Sequence, residues 1–176
     1  IVCDVPIYSI QEQVILPFRI PQKVDVFWSP HYNIPIFYRG LLLVTIHDLA
    51  HLALHEINKS FLKRCYATYM FKCVARQAKK VMCVSQFTIS ELQKYIDIDR
   101  KKVHLVYNGV DETWFQLQRQ ASIYDRPYFL YVGNVKPHKN LKRLLIAYKK
   151  VSEHLNCDLL LVGKKDGFIT GEDNII

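Results

Sequence analysis

The sequence predicts an α/β protein with parallel sheets, and three observations support this prediction. Apolar runs of strand length alternate with longer stretches of helical periodicity. The strand runs are continuously apolar, as expected for parallel strands that are buried on both faces. The alternation stops once, in a polar stretch between residues 116 and 122, and then resumes. We therefore expect two parallel sheets covered by helices, in two successive domains.

Four strands and two helices are predicted in the first part of the chain. The helix after the third strand is expected to begin behind Ser85, a favourable N-cap residue. A turn is expected at Asn108 and Gly109, where the fourth strand ends. The predicted strands cover residues 24–28, 41–46, 81–84 and 103–107, and the longer helix covers residues 60–77.

The polar stretch marks a predicted domain boundary. It lies within residues 113–127, which show little periodicity. Residues 1–120 are assigned to the first domain with its linker, and residues 121–176 to the second. In the second domain the predicted elements are strands at 128–132 and 158–162 and an amphipathic helix at 141–154.

Composition and charge narrow the classes of function. Half of the 176 residues are hydrophobic and 23% are charged, which indicates a globular protein, and no run approaches the roughly 18 apolar residues of a membrane-spanning helix. The net charge of +8 is dispersed and accompanies no nucleic-acid motif, so we predict no nucleic-acid partner. The five cysteines form no C-x-x-C pair, which disfavours a metal cluster or a disulfide framework and indicates a reducing cytoplasm.

Ligands of parallel α/β sheets bind beyond the carboxyl ends of the strands, and one such junction, residues 133–140, is rich in lysine. Gly133 lets the backbone approach a ligand closely, and Asn140 is placed to cap the helix that begins at Leu141. Free N–H groups at a helix N-terminus favour a phosphate, and Lys139 adds positive charge there. The junction therefore predicts a phosphate-binding loop, and the alternative is a solvated basic turn.

His47 and Asp48 follow the strand predicted at residues 41–46. A polar side chain at a strand end can reach a ligand while its backbone stays rigid. The alternative is an Asp that caps a helix beside a packed His. His51 and His55 follow at helical spacing, which allows a zinc site. A His47 at the strand end would break that register, so no metal is predicted.

Ser85 and Ser90 do not indicate a hydrolase, because the sequence contains no G-x-S-x-G nucleophile elbow. Ser85 fits a helix cap better. No pair of carboxylates at strand ends supports glycoside hydrolysis.

Six segments, taken in order, resemble the retaining glycosyltransferases of family 4, which have the GT-B fold. The resemblance is strongest to bacterial mannosyltransferase-like members. Any one segment is a weak match, whereas six in order at plausible spacing are specific. The resemblance implies parts of two Rossmann-like domains that face each other across a cleft, truncated at both ends. The segments are residues 9–13 with 16–17, 24–30, 44–49, 84–88, 106–111, and 128–133 with 139–141.

The resemblance also implies roles for individual residues. The family's strand-end histidine, which contacts the transferred sugar, falls on His47, with Asp48 beside it in the catalytic site. The family has a basic pair at the donor diphosphate; its lysine falls on Lys139, whereas its arginine is replaced by Asn134. The expected donor-diphosphate site comprises Gly133, Asn134 and Lys139, and the expected acceptor side comprises Gln13 and Ser85.

The implied activity is transfer of a hexosyl group, mannose favoured, from a nucleotide-sugar to a glycan or lipid-linked acceptor with retention, in synthesis of cell-surface polysaccharide or glycolipid. No metal or other cofactor is expected, and the donor is GDP-mannose or a UDP-sugar. The chain is expected to be a fragment that is inactive alone, because the family's glycine-rich loop and glutamate pair are absent from it. We expect a cytoplasmic protein with peripheral contact at the anionic inner face of the plasma membrane. The alternative is a noncatalytic Rossmann-like module that binds a phosphorylated or nucleotide ligand.

Overall fold

The computed structural model describes residues 5–6, 8–21, 23–53, 60–118 and 124–163. The chain divides into two compact units, Ile1–Val110 and Asp111–Ile176. The division lies after Val110, earlier than the predicted boundary after residue 120, because the whole predicted linker, residues 113–127, groups with the second unit. The assignment of the two units to the acceptor and the donor stays a prediction.

The first unit is built around a four-stranded sheet. A short 3-10 turn at Arg100–Lys102 leads into its fourth strand. The elements are α1 (Ile10–Arg19), β1 (Phe27–Ser29), β2 (Leu42–Ile46), α2 (Ala50–Ala53), α3 (Phe61–Gln77), β3 (Lys80–Cys83), α4 (Gln86–Tyr95) and β4 (Val103–Leu105).

The strands lie in the order β1-β2-β3-β4 and are all parallel, so the predicted α/β class is confirmed. Leu42, Val44 and Ile46 of β2 are almost completely buried, and Phe71 and Val74 of α3 belong to the same core. Burial of a side chain of this size stabilises the fold by roughly 1.5–3 kcal/mol. This core holds the sheet whose carboxyl edge presents the candidate site.

The second unit has a two-stranded parallel sheet. Both predicted strands are found with the predicted bounds and pair over five residues. The expectation that helices cover both faces is wrong for the described part of this unit. Phe129, Leu130 and Val132 are each more than half exposed there, because the described residues of this unit supply only one helix longer than a single turn. The elements are α5 (Thr113–Gln116), β5 (Tyr128–Val132), α6 (Leu141–Ser152) and β6 (Asp158–Val162).

Helices α1, α2 and α5 have no counterpart among the predicted elements. Pro17 lies inside α1, and the helix nevertheless continues to Arg19. A proline removes one backbone donor and normally ends or kinks a helix, which hides this helix from a reading of the sequence. The start of α1 is well capped, because the Ser9 hydroxyl accepts a hydrogen bond from the Glu12 N–H at 3.0 Å.

The outer strands of the first sheet are shorter than predicted. β1 begins at Phe27 and β4 ends at Leu105. Among the described residues each of these strands pairs with one other strand, so β1 begins opposite Leu42, the first residue of β2, and β4 ends opposite Cys83, the last residue of β3. Asn108 and Gly109 lie in irregular backbone and not in the expected turn.

Candidate active site

Polar side chains line the carboxyl edge of the first sheet. His31 follows β1, and Ser85 follows β3. Between them, His47 and Asp48 follow β2, and the side chain of His47 is exposed. Neighbouring parallel strands end at the same edge of a sheet. The pKa of His31 responds to the charges of His51, Asp48 and His47. This response agrees with the position of these side chains together at one edge of the sheet. The predicted strand-end position of His47 is confirmed.

The Asp48 carboxylate caps helix α2. Its Oδ1 accepts a hydrogen bond from the Ala50 N–H at 2.9 Å, which satisfies a donor that the helix leaves free. Because α2 begins only at Ala50, His47 and His51 do not share one continuous helix. The register that a zinc site would need is therefore absent, and Asp48 has the capping role that the sequence left open as an alternative. A catalytic role for Asp48 stays a prediction.

Gln13 is buried in α1 and holds the backbone of Ile36. Its Oε1 accepts a hydrogen bond from the Ile36 N–H at 3.0 Å, and Gln77 Nε2 donates to the Ile36 carbonyl at 3.0 Å. Gln13 Nε2 and Gln77 Oε1 have no partner among the described residues. Gln13 thus braces the chain that follows β1, and an acceptor contact by Gln13 stays a prediction.

A polar network joins α1, the segment after β1 and α3. Glu12 Oε2 accepts hydrogen bonds from the Tyr8 N–H and from the Asn33 side-chain amide, both at 2.7 Å. The Tyr66 hydroxyl donates to Asn33 Oδ1. Because Asn33 is itself buried, the network fixes the three segments against each other.

His31 extends this network toward the carboxyl edge. Its Nδ1 accepts a hydrogen bond from the Asn33 N–H at 3.1 Å, and its Nε2 lies 3.4 Å from the Tyr8 hydroxyl. An Nδ1 that accepts must be unprotonated, so the neutral ring carries its proton on Nε2. Burial, and then the neighbouring His51, lower the pKa of His31 below its ordinary value. The structure therefore favours a neutral His31.

A cleft of about 420 Å³ opens beside the network. Its lining is mostly aromatic and apolar, with a histidine and a lysine as polar groups. Pockets of this kind hold ligands that combine apolar faces with polar groups, as sugar rings do. The lining residues are Tyr8, Tyr32, His51, Leu62, Lys63 and Tyr66.

In the second unit, β5 leads into the predicted phosphate loop at Gly133. Gly133 has a φ of 149°, which residues with a side chain rarely adopt, and its N–H donates to the Val162 carbonyl at 2.9 Å. The Tyr131 hydroxyl donates to the Asn134 carbonyl at 2.9 Å. Strand and side chain together fix the first residues of the loop.

Lys139 ends a short 3-10 turn at Pro137–Lys139 that leads into α6, and its N–H donates to the Lys136 carbonyl at 2.9 Å. Asn140 occupies the N-cap position, but the predicted cap is wrong. Its φ is 54° and its side chain makes no capping bond, because capping normally requires an extended backbone. The first turn of α6 contains no acidic residue. No carboxylate of that turn therefore competes for the positive end of the helix.

The sequence profile of Glycosyltransferase Family 4 matches residues 17–114, more than half of the chain. The chain belongs to glycosyltransferase family 4. The match includes His47, Asp48 and Ser85, and therefore most of the carboxyl edge described above. Gln13 and the loop after β5 lie outside it.

The O-antigen chain mannosyltransferase RfbU of Salmonella typhimurium is 26% identical to this family 4 chain over 138 residues, which are 78% of the chain and 36% of RfbU. The crystal structure of TarM matches with a TM-score of 0.55 at 14% identity, covering 84% of the chain and 30% of TarM. Anabaena HepE in complex with UDP-glucose matches with a TM-score of 0.48 at 12% identity, covering 80% of the chain and 49% of HepE. The likeness to TarM shows that the fold is of GT-B type. The chain spans about a third of the length of RfbU and of TarM.

Sequence reasoning missed the network of Glu12, Asn33 and Tyr66. Asn33 and Tyr66 are 33 positions apart in the sequence, and no local sequence pattern predicts a contact over that separation. It also missed Thr88, which is buried and bonded to Ser85 and His47. A signal for Thr88 was present, because it lies three residues after a predicted N-cap serine.

Three further sequence expectations concern metals, membranes and cysteines. Among the described residues, no group of three or more His, Cys, Asp or Glu is arranged to hold a metal ion, and His55 lies outside the described residues. None of the helices in the described part of the chain is long and apolar enough to cross a membrane. Cys83 is completely buried, so it behaves as a small apolar core residue, and this burial raises the pKa of its thiol to about 11.

Proposed function

We propose that this family 4 chain forms part of a glycosyltransferase that moves a hexosyl group, mannose favoured, from a nucleotide-sugar to a glycan or lipid-linked acceptor with retention of configuration. The first unit supplies the acceptor side and His47, and the second supplies the loop for the donor diphosphate. The similarity to RfbU, an O-antigen chain mannosyltransferase, supports mannose as the sugar and a cell-surface polysaccharide as the product.

The observation that carries this proposal is the place of His47 within the family match. The ring is exposed, whereas the strand it leaves is buried, with Ile46 only 1% exposed. An imidazole in this position can bind a hydroxyl of the transferred sugar and hold the anomeric carbon in a reactive orientation, while the rigid strand limits its movement.

The loop after β5 is suited to the other product of the reaction. When the bond between the anomeric carbon and the diphosphate oxygen breaks, negative charge develops on the leaving diphosphate. Free N–H groups at the start of α6 and the ammonium group of Lys139 stabilise that charge. Gly133 lets the backbone come close to the phosphates, because no side chain stands in the way. The proposal assigns this task to protein groups and requires no metal ion.

The aromatic cleft beside α3 is proposed to hold the acceptor sugar. The net charge of +8 suits an acceptor that is anchored in an anionic leaflet, at the inner face of the plasma membrane. Sedimentation with vesicles of phosphatidylglycerol at low salt measures this contact. A protein that stays in the supernatant would count against it.

Sugar transfer by the full-length protein tests the proposal. The donor is GDP-mannose, with UDP- and ADP-sugars for comparison, and the acceptors are glycolipids extracted from membranes of the source organism. We expect transfer with retained anomeric configuration, measured by NMR of the product, and a rate about 10²-fold lower in His47→Ala.

The control for His47→Ala is His104→Ala, which removes an exposed histidine from the edge strand β4 and should keep the wild-type rate. Equal rates for wild type and His47→Ala would refute the role of His47. Donor binding without transfer from any nucleotide-sugar would favour the noncatalytic binding module instead.

A further inference from the structure

We propose that Thr88 is a positioning residue for His47 and acts through a chain of hydroxyl groups that begins at Ser85. The inference rests on the proposed role of His47 in sugar transfer. Thr88 lies in the first turn of α4 and is only 4% exposed. It therefore acts through its neighbours and not by touching a substrate.

The direction of each hydrogen bond in this chain follows from the atoms involved. Thr88 Oγ1 lies 3.2 Å from the His47 carbonyl oxygen and 2.9 Å from Ser85 Oγ. A carbonyl has no proton to give, so Thr88 donates its single hydroxyl proton to His47. In the second contact, Ser85 must then be the donor and Thr88 the acceptor.

This order of donors limits what Ser85 itself can do. Its only hydroxyl proton is given to Thr88, and its oxygen accepts a hydrogen bond from the Thr88 N–H at 3.0 Å, which caps α4. Ser85 therefore has no proton left to donate to an acceptor hydroxyl. Ser85 therefore supports His47 through Thr88, and the acceptor-side contact predicted for Ser85, which stays a prediction, would use the remaining lone pair of its oxygen.

The bond from Thr88 lies where the pairing of β2 with β3 weakens. The Val84 N–H donates to the Ile46 carbonyl at 3.4 Å, which is long for a hydrogen bond between backbone groups. The Thr88 hydroxyl holds the next carbonyl along the chain, that of His47. It thereby extends the fixed geometry of the sheet to the residue whose ring is exposed. Without this bond, the His47 backbone can rotate and carry its imidazole away from the sugar.

Thr88→Val tests the positioning role, because valine has the same shape and lacks the hydroxyl. The cap of α4 survives, since the backbone N–H of residue 88 still reaches Ser85. In transfer assays of the full-length protein with GDP-mannose, we expect kcat to fall about tenfold while KM for the donor stays unchanged. Thr88→Ser keeps the hydroxyl and should restore most of kcat.

Two variants control for the loss of a hydroxyl as such. The hydroxyls of Thr68 and Ser90 donate to the helix carbonyls of Arg64 and Phe87. Neither bond involves His47, Ser85 or Thr88. Thr68→Val and Ser90→Ala should therefore both keep the wild-type kcat.

A double-mutant cycle separates positioning from a general loss of stability. In a His47→Ala background, Thr88→Val should lower kcat no further, because the ring that it positions is already gone. An additive loss in that background, or a wild-type kcat in folded Thr88→Val, would overturn the proposal. Should Thr88→Val fail to fold by circular dichroism, Thr88→Ala takes its place in the same cycle, because it also lacks the hydroxyl and keeps the backbone N–H that reaches Ser85.

One readout is independent of sugar transfer. The carbonyl ¹³C chemical shift of His47 reports the hydrogen bond from Thr88, and it should change in Thr88→Val and not in Thr68→Val. An unchanged shift overturns the hydroxyl chain. If Thr88→Val changes the shift but the wild-type protein transfers no sugar, the proposed function is refuted and the hydrogen-bond chain stands.

Discussion

At the residue scale, Gly133 shows why a particular amino acid is needed in the loop after β5. Its φ of 149° is strained for any residue with a side chain, although a Cβ there would meet Tyr131 at an ordinary distance of 3.6 Å. Gly133→Ala should therefore lower the free energy of unfolding by about 1–3 kcal/mol, through backbone strain and not through a clash. Urea denaturation followed by circular dichroism measures the change.

The control for Gly133→Ala is Gly109→Ala, because a Cβ at Gly109 would meet nothing within 4 Å. This variant should keep nearly the wild-type stability. An equal loss in the free energy of unfolding for the two variants would mean that backbone strain at Gly133 does not cause the loss in Gly133→Ala.

The neutral state of His31 predicts a dependence of stability on pH. Burial and then His51 lower the pKa of His31 in the folded protein, whereas Asp48 and Glu12 raise it, and His47 lowers it. With the folded pKa below 6.5, the unfolded chain takes up the proton first as the pH falls. The folded state should lose stability as the pH drops through 6.5, and the loss is complete below the folded pKa.

His31→Gln tests this dependence, since glutamine keeps an acceptor for the Asn33 N–H and does not titrate. Urea denaturation at pH values from about 7.5 to about 5.5 should show a steeper fall in the free energy of unfolding for wild type than for the variant. Parallel curves for the two proteins would contradict the assignment.

Sequence reasoning located several of these residues without finding what they do. His47 was predictable because a polar residue after a buried strand stands at a sheet edge. Asp48 was equally visible, but whether its carboxylate caps α2 depends on where α2 begins, and a four-residue helix leaves no periodicity to read. The bond from Gln13 to Ile36 joins residues 23 positions apart, which no local pattern shows.

At the scale of elements, the two strand–helix junctions are built differently. α4 begins with a regular serine cap, whereas α6 follows Asn140 in a left-handed conformation with no side-chain cap. Asn140→Ala should lower the free energy of unfolding by about 1–2 kcal/mol, because alanine tolerates the left-handed region poorly. Asn140→Gly should leave it unchanged or raise it. An alanine variant as stable as wild type in urea denaturation would contradict the conformation at Asn140.

The elements that were predicted well are those whose residues all favour the same secondary structure. β5 and β6 are continuous apolar runs and were found with their full bounds. α1 was missed because Pro17 contradicts its helical pattern, while the cap by Ser9 and the burial of Gln13 hold the helix in place. Tertiary contacts outweigh local propensity in such cases.

At the scale of the whole molecule, the chain carries two parallel-sheet units, each with its own strand-end loop. The α/β class with parallel sheets followed from the alternation of strand and helix patterns, whereas the order of the strands within the sheet came from the structure. The boundary after Val110 did not, because the irregular residues that follow it give no sign of the unit with which they pack. The proposed division of labour places His47 in one unit and Lys139 in the other.

Calorimetric titration of the full-length protein with GDP-mannose tests the central claim most directly, because it requires no knowledge of the acceptor. We expect wild type to bind GDP-mannose more tightly than UDP- or ADP-sugars. Lys139→Ala should bind about tenfold more weakly or worse, since a charge-assisted hydrogen bond to the diphosphate is lost. Lys150→Ala, in the last turn of α6, should bind like wild type. Donor affinity that is unchanged in Lys139→Ala, or no binding of any nucleotide-sugar by wild type, would contradict the account.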